Sequence, residues 1–113
     1  MNIKKSIDVE AMRAAAGKTG ALLKLLSNRH RLLILCELIE GEKSVGQLAR
    51  LLGVRGSTAS QHLALLRRDR IIAGERDGQI VRYRIASKPA LDMVRMLYAS
   101  CATSKSRHGR KAT

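Results

Sequence analysis

The sequence predicts a mainly α-helical fold carrying one small β-hairpin. Three observations predict it. Apolar residues recur at helical spacing over most of the chain, then switch to a period of two between residues 71 and 85. The pair Asp77-Gly78 sits between two short runs, a strong signal for a two-residue hairpin turn. The core has to be built from aliphatic residues: 45% of the 113 residues are hydrophobic, yet there is no Phe or Trp, and Tyr83 and Tyr98 are the two aromatics. A chain of this length makes one domain, and an aliphatic, aromatic-poor core suits helices packed on helices. Part of that apolar surface is expected to be covered by a second subunit.

The elements follow in order. Residues 1 to 6 look frayed. From Ile7 to Leu26 the pattern is helical, with Val9, Met12, Ala16, Ala21, Leu22, Leu25 and Leu26 on the apolar side, and Gly17 and Gly20 are expected to bend it or delay its start. Ser27-Asn28 stops it and caps the next helix, residues 29 to 40, whose apolar stripe reads Leu32, Leu35, Cys36 and Ile39. Gly41 ends that helix. Ser44-Val45-Gly46-Gln47 fits a capping box for a short third helix with Val45, Leu48, Ala49 and Leu52 inward, stopped by Gly53. A fourth helix is expected from about Ser57 to Asp69, with Ala59, Leu63 and Leu66 inward. Two short helices joined by a tight glycine-containing turn make a helix-turn-helix unit. The hairpin follows, and then a last helix with Pro89 in its first turn and Leu91, Val94, Tyr98 and Cys101 on one stripe. The domain is expected to span residues 1–103, with a disordered basic tail over 104–113.

Charge narrows the partners. The net charge is +13, and between Arg50 and Lys88 nine basic residues face only Asp69, Glu75 and Asp77. Double-stranded DNA is the expected polyanion. A membrane surface is not, since no aromatic anchors accompany the basic residues and no apolar run is long enough to span a bilayer. Asp8 and Glu10 interrupt what would be a secretory leader, so a cytoplasmic location is expected. No paired carboxylates, phosphate loop or oriented histidine point to an enzyme, and no cofactor is expected.

In a helix-turn-helix unit the N-terminal residues of the second helix reach base edges in the major groove. Here they are Ser57, Thr58, Ser60, Gln61 and His62, all able to exchange hydrogen bonds. Ser57 and Thr58 could equally cap the helix, and His62 could pack. Arg67 and Arg68, at the far end, suit phosphate or subunit-edge contacts. The hairpin's second strand puts Arg82 and Arg84 on one face and Val81, Tyr83 and Ile85 on the other, and with Arg76 it reads as a DNA-contacting wing. Lys4, Lys5, Lys105, Arg107, Arg110 and Lys111 add sequence-independent affinity. Cys36 and Cys101, 65 positions apart and each on an apolar stripe, read from the residues alone either as inert buried thiols or as a reactive pair.

From roughly Ala21 to Cys101 the chain resembles the ArsR-type winged helix-turn-helix regulators. The resemblance is carried by Leu25-Leu26-Ser27-Asn28-Arg29-His30-Arg31-Leu32, by Ser60-Gln61-His62-Leu63 with Leu66, and by Arg76-Asp77-Gly78-Gln79 through Tyr83-Arg84. It implies a homodimer through the first and last helices, and a repressor that leaves its operator when an inducer binds. One departure stands at Arg55, where many members carry a Ser that caps the recognition helix; Gly56 or Ser57 would then have to cap it, and Arg55 could add a phosphate contact. The metal-binding patterns of the family are missing. Ser44-Val45-Gly46-Gln47-Leu48 holds no Cys-x-Cys pair, and no His follows Asp92 on the expected last helix, His108 falling in the expected tail, so no metal site is expected. Cys36 and Cys101 match the two cysteine positions of the BigR/SqrR-type subgroup. The resemblance therefore implies a dithiol switch whose inducer is a persulfide, polysulfide or oxidant. Two other readings stay open: a thiol-based metal-responsive repressor with a third ligand, and a constitutive architectural DNA-binding protein.

Overall fold

The computed structural model describes residues 8–112, with side chains described through Ser100. The order is α1 (Val9–Leu26), α2 (Arg29–Ile39), β1 (Lys43–Ser44), α3 (Val45–Leu52), α4 (Gly56–Arg68), β2 (Ile72–Asp77), β3 (Ile80–Ile85) and α5 (Lys88–Ala112). It is the winged helix-turn-helix order expected, with one strand added.

Local chemistry sets the helix starts. Asp8 caps α1 by accepting from the Glu10 N–H at 3.0 Å. The Asn28 Oδ1 accepts from the N–H groups of His30 at 2.9 Å and Arg31 at 3.2 Å and so opens α2. At α3 both halves of the capping box are made: the Gln47 N–H donates to Ser44 Oγ at 3.3 Å, and the Ser44 N–H donates to Gln47 Oε1 at 2.9 Å. The Ser87 Oγ accepts from the Ala90 N–H at the start of α5. Helix α4 is the exception. Its N-cap is Arg55, whose side chain makes no cap bond. The expectation that Gly56 or Ser57 caps it is therefore corrected: both already lie inside the first turn, because the helix begins one residue earlier than its polar pattern implied.

Further differences have physical causes. Gly17 and Gly20 do not interrupt α1, which runs unbroken over 18 residues; a glycine in a helix costs about 1 kcal/mol, which neighbouring good helix formers can absorb. On α2 the buried face is Ile34, Leu35 and Leu38, while Leu32, Cys36 and Ile39 are only half-buried. Two stripes were available on this leucine-rich helix, and docking selected the one led by Ile34. The hairpin turn lies one residue later than Asp77-Gly78: Asp77 pairs with Ile80, and Gly78-Gln79 form the loop. Gly78 takes a φ of 68° at the first loop position, where a type II′ turn needs glycine. The backbone of α5 stays helical to Ala112, through the residues expected as a tail from 104, so Asp92 and His108 lie on one helix, 16 positions apart, where the sequence pattern puts His108 beyond it. The frayed segment expected over 1–6 lies outside the described residues.

The unexpected strand β1 pairs antiparallel with β3, Lys43 opposite Tyr83 and Ser44 opposite Arg82, giving a sheet of order β1-β3-β2. Gly74 lies opposite Tyr83, and a Cβ there would come within 3.0 Å of the tyrosine ring. The missing side chain leaves room for the ring and for Val81. The core gathers Ile34, Leu35, Leu48, Leu63, Leu66, Ile72 and Val94, all essentially inaccessible. It joins α2, α3, α4, the base of the wing and α5 into one body. The outer half of α1 takes no part: Val9 and Met12 are more than half exposed.

The end of α4 stores strain. The Arg70 N–H donates to the Arg67 carbonyl at 2.9 Å and the Ile71 N–H to the Leu66 carbonyl at 2.9 Å, a Schellman closure with Leu66 and Ile71 both buried. The left-handed residue of this motif is Arg70, at φ 61°. That conformation costs an L-residue about 1–2 kcal/mol, and glycine's extra freedom in the unfolded chain takes back about 0.5–1 kcal/mol. Arg70→Gly is therefore expected to stabilise the fold by about 0.5–1 kcal/mol. Urea unfolding measures it, and a lower midpoint would contradict it.

Candidate functional site

The outward face of α4 is one polar stripe. Ser57, Ser60, Gln61, Ala64, Arg67 and Arg68 are all exposed, opposite the buried Ala59, Leu63 and Leu66. The two sets separate because residues three and four apart share a helix face. Ser57, Ser60 and Gln61 are thus brought together near the start of the helix, with the exposed Arg55 beside them. Arg67 and Arg68 share the stripe at its far end, where Arg68 Nε reaches Asp69 at 3.4 Å.

Thr58 and His62 do not join that face. Both are half-buried on the flank of α4. The His62 ring stands edge-on to the His30 ring of α2, centroids 5.5 Å apart and planes at 80°. Its Nδ1 is buried with no hydrogen-bond partner among the described residues. Burial, and then the charges of Arg31 and His30, hold the His62 imidazole below its usual value of 6.5.

On the wing, alternation places Ala73, Glu75 and Asp77 on the same face as Ile80, Arg82 and Arg84. The structure therefore joins Arg82 and Arg84 but sets Arg76 on the opposite face, with Val81 and Tyr83. Arg84 is exposed. Arg82 Nε lies 3.3 Å from Asp77 Oδ2, and Glu75 stands across from it. This ion pair is solvent-exposed and worth about 0–1 kcal/mol, so it holds the guanidinium only weakly.

The two cysteines lie on α2 and α5. Cys36 is half-buried, at the margin of the core. Cys101 sits on the backbone of α5, and its side chain lies outside the described residues. Around Cys36 the two helices meet through a polar contact: the Tyr98 hydroxyl donates to Glu40 Oε2 at 2.5 Å. That bond raises the Tyr98 phenol above 10.0, with burial and the charges of Glu40, Glu37 and Cys36 adding to it. Cys36 and Glu40 are four residues apart on α2, and Tyr98 and Cys101 three apart on α5, so each pair shares a helix face. No sequence signal announces the Tyr98–Glu40 bond, whose partners are 58 positions apart. The Lys43 Nζ, which donates to the last-turn carbonyl of Glu37 at 2.9 Å and ties β1 to α2, was likewise silent. Among the described residues no group of three or more His, Cys, Asp or Glu gathers as a metal site. None of the described helices is long and apolar enough to cross a membrane.

Residues 22–73 match the family model described as bacterial regulatory protein, arsR family. The transcriptional activator HlyU of Vibrio cholerae is 37% identical over 92 residues, 81% of this chain and 85% of that protein. A biofilm growth-associated repressor of Xylella fastidiosa is 38% identical over 97 residues, 85% of each chain. Among solved structures, the transcriptional repressor BigR from Xylella fastidiosa superposes with a TM-score of 0.77 at 37% identity, covering 85% of this chain and 96% of that one. A homodimeric winged helix-turn-helix DNA-binding domain from Mycobacterium bovis gives a TM-score of 0.62 at 30% identity, covering 85% of each. With a fold, an element order and a helix-turn-helix segment that agree, the chain belongs to the ArsR family of bacterial regulatory proteins.

Proposed function

We propose that this regulator is a homodimeric, cytoplasmic transcriptional repressor that binds operator DNA and releases it when Cys36 and Cys101 are oxidised by a persulfide, polysulfide or oxidant. The observation that carries the thiol switch is the Tyr98–Glu40 bond, which docks the α5 face one turn before Cys101 onto the α2 face one turn after Cys36. The half-exposure of Cys36 leaves it within reach of a small oxidant, unlike a core thiol.

The chemistry balances. A cysteine thiolate attacks the outer sulfur of R–S–SH, forming a protein persulfide and releasing RS⁻. The second thiolate attacks the inner sulfur of that persulfide and expels HS⁻. Two thiols and one persulfide thus give a disulfide, one RSH and one molecule of hydrogen sulfide. A second persulfide adds one sulfur to the bridge and releases one more RSH. A bridge between α2 and α5 acts on both the scaffold behind α4 and the helix proposed for the dimer interface. The proposed dimer would also cover Val9 and Met12 of α1 and Met96 of α5, which are 58%, 54% and 70% exposed. Two recognition helices must stay about 34 Å apart to read both half-sites, so a bridge that shifts them weakens binding. A coupling of about 1–3 kcal/mol changes affinity about 5- to 150-fold.

The test is duplex binding by reduced and persulfide-treated protein, with intact mass on each sample. Release together with a loss of two hydrogens, or a gain of whole sulfur atoms, supports the switch. Binding that is equally tight after oxidation overturns it and leaves a constitutive DNA-binding protein. Release by zinc without any mass change favours a metal-responsive repressor.

Within the DNA surface, Ser57, Ser60 and Gln61 are proposed to read bases, Arg55, Arg82 and Arg84 to hold phosphates, and Thr58, Arg67, Arg68 and Arg76 to flank them. Gln61→Ala is expected to lose about 1–3 kcal/mol of discrimination at one base pair. Arg82→Ala is expected to weaken every duplex alike and to reduce the salt slope by about 1. Anisotropy titrations with matched and mismatched duplexes separate the two, and a uniform loss for Gln61→Ala would remove it from the base-reading set.

A further inference from the structure

The pairing of His62 with His30 is unexplained by either the DNA-facing stripe or the thiols. We propose that His62 is a positioning residue for DNA reading: its neutral ring, braced on His30, sets α4 against α2, and protonation of that ring withdraws the brace, so that sequence-specific binding is lost in acid. The inference rests on α4 being the DNA-reading helix and is independent of the cysteines.

The geometry carries it. His62 lies between Gln61, on the exposed stripe, and Leu63, in the core. Its ring fills the seam between α4 and the first turn of α2, against His30 at 5.5 Å. The charges that act on the His62 ring are those of Arg31 and His30. Arg31 faces it from α2, held there because its Nε donates to the Leu25 carbonyl at 2.6 Å. Lys24 of α1 and Arg68 of α4 line, with Arg31, a separate hollow that includes neither histidine. The carboxylate at that hollow, Asp69, is already paired with Arg68. The start of α2 adds the positive end of its helix dipole. The Nδ1 atom, buried without a partner, would become a charged donor with nothing to receive it. The seam therefore favours the neutral ring over the protonated one.

The sign follows. Burial and the neighbouring cations hold His62 below its unfolded value. Between the folded and unfolded values the displaced ring binds more protons than the seated ring. The brace is complete above about pH 6.5 and is lost as pH falls through the lower, folded value. A histidine that touched a base or phosphate would behave oppositely, because protonation would strengthen its contact with a polyanion. The direction of the pH effect thus separates a strut from a DNA contact.

The probe is a duplex of about 30 base pairs, enough for two half-sites, enriched from a randomised library by the reduced wild-type protein at about pH 7.5, with a scrambled duplex as reference. Anisotropy at fixed salt gives the preference between the two at about pH 7.5 and about pH 4.5, the latter about two units below an ordinary histidine so that it also reaches a lowered one. The expected result is a loss of preference of about 5-fold or more in acid for wild type. His62→Gln, which fills the seam without titrating, is expected to show the same preference at both pH values. Should that variant lack the helical circular-dichroism signal, Arg31→Gln carries the test, because removing the facing charge should shrink the acid loss. A wild-type preference that holds or rises in acid overturns the proposal. So does an acid loss that persists in His62→Gln, or one that coincides with loss of the helical signal. Failure to enrich any duplex at pH 7.5 would instead overturn the DNA-reading function, and the proposal with it.

Discussion

Cys36→Ser is expected to bind the same duplex as the reduced wild type with unchanged affinity, and to keep it when a persulfide donor is added. The wild type, treated alike, should weaken by about 5- to 150-fold. The first half follows from position: Cys36 lies on α2 and is half-buried, and none of the residues proposed to touch DNA belongs to that helix. The second half follows from the bridge needing two sulfurs. Cys101→Ser should behave identically in binding, but its mass after treatment should differ from a bridged protein, since Cys36 can still take up sulfane sulfur without closing a ring. Release of DNA by treated Cys36→Ser would remove the dithiol from the mechanism.

Leu66→Ala is expected to be the most damaging core substitution on α4. The side chain is fully buried, and its carbonyl receives the closing bond of the α4 Schellman turn. Loss of a buried leucine costs about 2–5 kcal/mol once the cavity is counted, against a total of about 5–15 kcal/mol for a domain. A loss of about 3 kcal/mol lowers the thermal midpoint by roughly 12 °C in a domain of this size. This core has little with which to refill the space, because it contains no Phe or Trp. Leu51→Ala is the contrast: that side chain is 54% exposed, and its loss should stay within about 0.5 kcal/mol. Circular-dichroism melts of the two variants decide it, and equal midpoints would contradict the packing described.

The candidate site was only partly legible in the sequence. The stripe of Ser57, Ser60 and Gln61 could be read because helical period alone places it opposite Ala59, Leu63 and Leu66. His62 could not, since its neighbours on α4 do not reveal that His30 waits on another helix. Arg76 was grouped with Arg82 and Arg84 by proximity in sequence, whereas the register of the hairpin separates them. The hairpin signal was read one residue early, and a shift of one residue reassigns which face a strand residue takes.

What the sequence determined by itself is the order of the helices and the hairpin and the chemistry of their ends: Asn28 opening α2, the Ser44 and Gln47 box opening α3, Pro89 in the first turn of α5. These are decided within four residues of chain, by bonds that form whatever else the protein does. What only the tertiary structure decided is which of two leucine faces α2 buries, that Lys43 and Ser44 join the sheet, that His62 leans on His30, and that Tyr98 reaches Glu40. Each depends on segments distant in sequence, so each is fixed by the free energy of docking one element on another, which no local pattern encodes.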